Sequence, residues 1–259
     1  MKRVVTVQDL SCLGKCSLTV ALPVLSAMGC STAVLPTAVL STHTAFPEPH
    51  IRDLTTDMRP ILEHWFSVGA EFDAILVGYL SNPRQVEAVA ALWERFPALR
   101  ILDPAMGDNG KLYSGISDAH VAALRQLLGN TDLLIPNVTE ACLLTGIPYG
   151  EATPGQLIEQ LHQLGVKQVV LTGVSLEEGK TGFMTGDGHV YQTDALPGHY
   201  HGTGDLFAAV CTGSLLRGNT LAESATAAAK FVEQTIASTP EASPFGLYFE
   251  QHLPSLGSL

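Results

Sequence analysis

The chain has 259 residues, 46% of them hydrophobic and 15% charged, a balance that lets a globular fold bury roughly 70–75% of its unfolded surface. Its 25 acidic and 14 basic residues leave a net charge of −11, which argues against nucleic acid or an anionic membrane as the main partner. No apolar run reaches the roughly eighteen residues a membrane span needs, and Met1-Lys2-Arg3 passes to Gln8-Asp9 before a signal-length core develops.

In chain order, β-branched runs alternate with segments of helical period. The pattern predicts strands over residues 3–8, 31–35, 74–78, 100–103, 132–136 and 168–172. Between them it predicts helices over 17–28, 51–66, 83–96, 118–128, 140–145 and 154–164. Strands over 181–185 and 189–192, joined by Gly186-Asp187-Gly188, read as a small β-hairpin, and two alanine-rich helices over 204–217 and 221–238 close the chain. The order implies an α/β fold, a mainly parallel central sheet with helices on both faces, in one domain spanning 1–259.

In such sheets ligands bind outside the carboxyl ends of the strands. Polar residues gather there: Asp9 after the first strand, Gly78-Tyr79, Asp103-Pro104, Asn137 with Glu140, and Thr172-Gly173. The most informative segment is His201-Gly202-Thr203-Gly204-Asp205, running straight into the small-residue helix Leu206-Phe207-Ala208-Ala209. Glycines let backbone N–H groups approach a ligand closely, and a helix N-terminus adds unpaired donors with partial positive charge, so the segment is an anion cradle. An isolated Asp in a first helical turn is usually a cap; beside a phosphate cradle, a carboxylate instead suits the role of taking a proton from the attacking group. The reading is phosphoryl transfer.

The ordered set of 103–110 (Asp103 to Gly110), Asn137-Val138-Thr139-Glu140 and Gly202-Thr203-Gly204-Asp205 resembles the ribokinase-like superfamily and, within it, the pyridoxal kinases. Leu40-Ser41-Thr42-His43-Thr44 and Gly78-Tyr79 look like that subfamily's Ser-x-His-Thr segment and Gly-Tyr loop. The resemblance implies an ATP-dependent kinase acting on the 5′-hydroxymethyl group of pyridoxal, pyridoxine or pyridoxamine. By this resemblance Asp205 is the catalytic base, with Gly202, Thr203 and Gly204 as the anion hole. Glu140 organises Mg²⁺ through water, with Asp108 beside it, and Asp103, Asp108, Asn137, Thr172 and Gly173 serve ATP. Asp9, His43, Thr44 and Tyr79 face the substrate ring. Many pyridoxal kinases have Ser at the place of Asp9, so this departure bears on vitamer preference. The resemblance also implies a homodimer and raises a monovalent cation such as K⁺ as a further requirement.

Other readings are weaker. Hydroxymethylpyrimidine kinases resemble this chain around His-Gly-Thr-Gly but often carry Cys where Asp205 stands, and a catalytically silent pyridoxal binder needs no base. Gly14-Lys15 lacks the glycine spacing of a Walker A loop, no G-x-G-x-x-G follows the first strand, and Lys15 reads as a solvated surface charge. Cys12, Cys16, Cys30, Cys142 and Cys211 are odd in number and form no C-x-x-C pair, so they read as reduced thiols of a cytoplasmic protein, Cys12 and Cys16 among them as buried ones. The segment 33–41 reads as a lid over the substrate or part of a dimer contact.

Overall fold

The structure is a computed structural model that describes residues 1–198, 200–241 and 243–257. In chain order its elements are β1 (Arg3–Leu13), α1 (Leu18–Ala27), β2 (Ser31–Thr42), β3 (Ile51–Asp53), α2 (Thr55–Ser67), β4 (Ala74–Val77), α3 (Gln85–Arg95) and β5 (Leu99–Leu102). There follow β6 (Gly107–Asp108), β7 (Lys111–Leu112), α4 (Asp118–Arg125), β8 (Leu133–Leu134), α5 (Val138–Thr145), α6 (Pro154–Gln163) and β9 (Gln168–Val174). The chain continues with β10 (Lys180–Thr185), β11 (Val190–Asp194), α7 (Thr203–Leu216), α8 (Leu221–Ser238) and the short α9 (Leu253–Leu256).

Among the described residues one nine-stranded sheet runs β11-β10-β9-β8-β5-β4-β1-β2-β3. The strands from β9 to β2 in that order are mutually parallel, whereas β3 at one edge and β10 with β11 at the other are antiparallel. Alternation along the strands sends side chains to two separate cores. Val5 and Val7 of β1 join Met58, Val89, Leu124, Leu144 and Leu161 on one face, while Val4 joins Val24, Leu206, Ala209, Ala225 and Phe231 on the other. The small side chains at Ala208, Ala209, Ala225 and Ala228, all fully buried, let α7 and α8 lie close together.

The chain leaves β1 for β2 on one side and then crosses to β4 on the other, so the strand order reverses at β1. The carboxyl ends of β1 and β4 therefore flank a crevice, the usual place for a ligand in a doubly wound sheet. A separate two-stranded ribbon, β6 with β7, stands over the end of β5.

Several elements differ from the sequence expectation, β2 and β3 among them. Residues 51–53 pair antiparallel with β2 instead of opening the helix, which begins at Thr55. Their partners, Ala38 to Leu40, lie across the loop that follows β2, and the periodicity of a three-residue segment cannot register such a pairing. Residues 33–41 belong to β2, hydrogen-bonded to β1 and β3, so they form a sheet strand.

Candidate active site

The N-terminus of α7 centres the site. Gly202 is its N-cap at φ 86, the left-handed region, and a side chain there would run into the carbonyl of Lys15. Glycine at this position is thus required twice, by the turn and by the close approach of the loop between β1 and α1. Thr203 and Gly204 supply the first helical N–H groups, and Asp205 stands in the first turn.

Asp205 belongs to two neighbouring groups of acids. The first surrounds the ends of β5 and β8. Asp103 is 6% exposed, its Oδ2 lies 3.9 Å from where a Cβ on Gly204 would stand, and burial, then Glu140 and Asp205, push its carboxyl well above the ordinary range. Glu140 is 3% exposed at the start of α5. Its Oε1 accepts from Met106 N–H at 3.1 Å and its Oε2 from Asn137 N–H at 2.8 Å, while Asn137 Oδ1 accepts from Glu140 N–H at 2.9 Å. This capping box fixes the carboxylate in place. Burial raises Glu140 to about 7 against those backbone donors, and the nearby Asp108 adds to the rise. Asp108 itself is exposed, its oxygens taken by Asn109 N–H at 2.8 Å and Asn109 Nδ2 at 3.0 Å.

The second group surrounds the end of β1. Asp9 lies within that strand, at a register shift between Gln8 and Leu10, and is 3% exposed. Ser11 Oγ donates to its Oδ2 at 3.0 Å, yet burial holds its pKa above the usual value. The His43 ring packs between Phe46 and His201 at centroid distances of 4.8 and 4.5 Å. Its Nε2 faces the Pro244 carbonyl at 2.9 Å, so Nε2 carries the hydrogen and the buried Nδ1 is left without a partner. Half-buried Tyr79 stands on the β4 side, its phenol pushed up to about 12 by burial and then by Asp9. Thr44, also half-buried, follows His43.

Asp205 joins the two. Burial, opposed by a backbone N–H of Ser17 and helped by Asp9, lifts it to about 6. The chemistry that follows is proton acceptance near neutral pH, beside backbone donors suited to an anion and oxygen ligands suited to a hard cation. Of the remaining sequence candidates, Thr172 lies inside β9, its Oγ1 donating to the Pro136 carbonyl at 3.3 Å, with exposed Gly173 next to it at φ 67. These two stand on the far side of Asn137, which bridges to Thr172.

Several residues at the site escaped the sequence reading. Ser11 donates to Asp9, while Ser17 and Cys16 lie near the acids around β1, and Tyr113 is close enough to Glu140, Asp108, Asp103 and Asp205 for their charge to push its phenol up. Gln8, fully buried against Gly78, has both amide atoms without a partner. Lys15 is no free surface charge, since its Nζ pairs with Glu250 at 2.7 Å and lies 4.6 Å from the Tyr248 ring centroid. Cys12, at the exposed end of β1, is itself exposed, against the expectation of a buried thiol.

A family model described as phosphomethylpyrimidine kinase matches residues 22–247. The chain belongs to that family. A pyridoxine/pyridoxal/pyridoxamine kinase of Bordetella bronchiseptica, similar to this family member, is 32% identical over 266 residues, covering 92% of this chain and 90% of its own. The pyridoxal kinase structure from Lactobacillus plantarum superposes with a TM-score of 0.92 at 34% identity, covering 100% of this chain and 97% of that one. A Bacteroides thetaiotaomicron protein solved in a form with pyridoxal gives 0.92 at 36% identity, over 98% and 95%. The α/β architecture expected from the element order and from the resemblance to the pyridoxal kinases is thus the one this chain has.

Proposed function

We propose that this protein is a kinase that transfers the γ-phosphoryl group of ATP to the 5′-hydroxymethyl group of pyridoxal, pyridoxine or pyridoxamine, from a single kinase domain. One observation carries the reading: Asp205, with a pKa near 6, stands in the first turn of α7 directly behind a left-handed Gly202. The names of its relatives, pyridoxal kinases among them, support the substrate class.

In this reading Asp205 orients the substrate hydroxyl and accepts its proton. The N–H groups of Thr203 and Gly204, with the partial charge of the α7 N-terminus, neutralise charge on the transferring phosphoryl group. Asp9, His43, Thr44 and Tyr79 surround the ring, and the bare Nδ1 of His43 accepts a hydrogen bond from a substrate donor. Asp103, Asp108, Asn137, Thr172 and Gly173 serve the nucleotide.

Among the described residues no three His, Cys, Asp or Glu side chains group to hold a metal directly. The acids nevertheless fit Mg²⁺, because Glu140 and Asp103 are buried hard oxygen donors whose pKa values rise through burial and mutual repulsion, a cost a cation removes. Mg²⁺ commonly keeps several waters, so Glu140, with Asp108 nearby, would hold it through them, and the ion would neutralise phosphate charge. A homodimer, a monovalent cation such as K⁺ and a cytoplasmic location complete the reading, on the resemblance and the thiol pattern; among the described residues no helix is long and apolar enough to cross a membrane.

The test is product formation by the purified protein with MgATP and each of pyridoxal, pyridoxine, pyridoxamine and hydroxymethylpyrimidine. Phosphorylation of the three vitamers at higher kcat/KM than the pyrimidine is expected. No phosphorylation of any vitamer, or faster turnover of the pyrimidine, overturns the proposal.

A further inference from the structure

The loop that carries Tyr79 out of β4 is tied down by residues to which no function has yet been given. In the register of β1 with β2, Gln8 stands opposite Pro36 and Leu10 opposite Val39, so Thr37 and Ala38 together face Asp9 alone. This is a β-bulge at the rim of the crevice. The extra residue breaks the in-and-out alternation of β2, and both Thr37 and Ala38 are fully buried. A bulge re-aims a side chain, and here the Thr37 hydroxyl donates to the Tyr79 carbonyl at 3.0 Å, although β1 lies between β2 and β4 in the sheet.

Thr37 is itself held. Gln85, fully buried at the start of α3, places its Nε2 2.8 Å from the Thr37 carbonyl, 3.0 Å from Thr55 Oγ1 and 3.1 Å from Ser81 Oγ. The Thr37 carbonyl also accepts from Leu54 N–H at 3.0 Å, just ahead of α2. Further along the loop, Asn82 Nδ2 donates to Asp53 Oδ2 at 3.1 Å, and Asp53 Oδ1 accepts from Thr55 N–H at 2.7 Å. On the other side of Tyr79, Gly78 N–H donates to the Val7 carbonyl at 3.0 Å. The backbone is thus anchored before and after the Tyr79 Cα, and the anchor after it is a side chain that reaches over from β2.

We propose that Thr37 is a positioning residue for substrate binding: its hydroxyl, by holding the Tyr79 carbonyl, sets where the phenol ring stands over the ring of the substrate. The inference rests on the reading of Tyr79 as a residue that faces that ring. Aromatic pairs favour particular offsets and separations, so a ring that has lost its backbone anchor gives up contact that depends on its place. The pyridine ring is common to the three vitamers, and the effect falls on each of them alike. The nucleotide is spared, because Asn137 and Thr172, assigned to it, stand at β8 and β9, across the sheet from β2.

Thr37→Val keeps the shape of the side chain and removes the donor, whereas Thr37→Ser keeps the donor. Both are compared with wild type, with Tyr79→Ala and with Thr37→Val combined with Tyr79→Ala. The measurements are KM for each vitamer and for ATP, kcat, the dissociation constant of pyridoxine by calorimetry and the thermal midpoint. Thr37→Val should raise KM for every vitamer and the pyridoxine dissociation constant about 3–10-fold with KM for ATP unchanged, while Thr37→Ser stays within about twofold of wild type. In the Tyr79→Ala background Thr37→Val should add less than about twofold, because the ring it places is gone. Losses that multiply independently, wild-type vitamer affinity in Thr37→Val, an equal rise in KM for ATP, or a Thr37→Ser protein as weak as Thr37→Val overturns the proposal. If Thr37→Val does not fold, Ser81→Ala decides it, since it cuts a partner of Gln85 at a half-buried position. A rise in vitamer KM that disappears in the Tyr79→Ala background is then expected, and an unchanged KM overturns the proposal. Wild-type affinity in Tyr79→Ala would refute the reading of Tyr79 and the proposal with it, and a wild-type protein that phosphorylates no vitamer would instead refute the kinase reading.

Discussion

A proton acceptor in a phosphoryl-transfer site must be ionised when the substrate arrives, yet basic enough to take a proton. Asp205 meets both demands because burial raises it only to about 6, the Ser17 N–H opposing the rise that Asp9 reinforces. Since only the ionised form accepts a proton, kcat/KM should climb as pH rises through about 6 and level off above it. Asp205→Asn removes the acceptor and keeps the size, so turnover should fall about 10²–10⁴-fold with little change in KM for ATP. Both are read from steady-state rates across pH; turnover within about threefold of wild type, or a wild-type profile flat through that range, rejects the base. Asp205, Glu140 and Asp103 were legible in the sequence because their spacing beside glycine, asparagine and proline survives as a pattern. Ser17 was not, because its place beside the acids comes from the loop between β1 and α1 packing, through Lys15, against residues 202 and 245–246.

At the scale of elements, the turn into α7 separates two uses of glycine. Gly202 is left-handed and closed against Lys15, whereas Gly204 lies inside the helix, where a Cβ would meet only the Asp103 carboxylate, at 3.9 Å. Gly202→Ala should therefore lose stability, by about 1–2 kcal/mol for the left-handed backbone and more for the clash, together with activity. Gly204→Ala should keep or gain stability, since alanine favours a helix by up to about 1 kcal/mol over glycine, while its methyl crowds the phosphoryl group and slows turnover. Denaturant midpoints and kcat for the pair check this; a Gly204→Ala protein with full activity would show that the cradle does not need close backbone approach there. The helices and inner parallel strands could be read from local period, as α3, α6 and β4 illustrate. What local period missed was set by strand pairing outside each segment: β1 running on to Leu13 beside β2, β3 turning back onto β2, and the β6–β7 ribbon near Glu140.

For the whole molecule, the site concentrates negative charge in a protein that already carries −11, so pH and Mg²⁺ should act on stability through the same carboxylates. Glu140 titrates near 7 when folded, against an ordinary value of 4.5. Between those values the folded state binds the extra proton, so stability is greatest below about 4.5 as far as this group is concerned and declines as pH rises through about 7. Asp103, also raised by burial, acts in the same direction. Above that window the buried carboxylates are ionised and repel one another, and a divalent cation held there relieves the cost. Magnesium chloride should then raise the thermal midpoint more at about pH 8 than at about pH 5.5, relative to sodium chloride of equal ionic strength. General repulsion from the net charge gives a trend of the same sign, so the deciding comparison is Glu140→Gln, whose neutral amide cannot ionise. That variant should lose most of the pH dependence of the magnesium effect and need more Mg²⁺ for half-maximal rate. An identical magnesium response in Glu140→Gln and wild type, in both melting and rate, would remove Glu140 from the metal's surroundings.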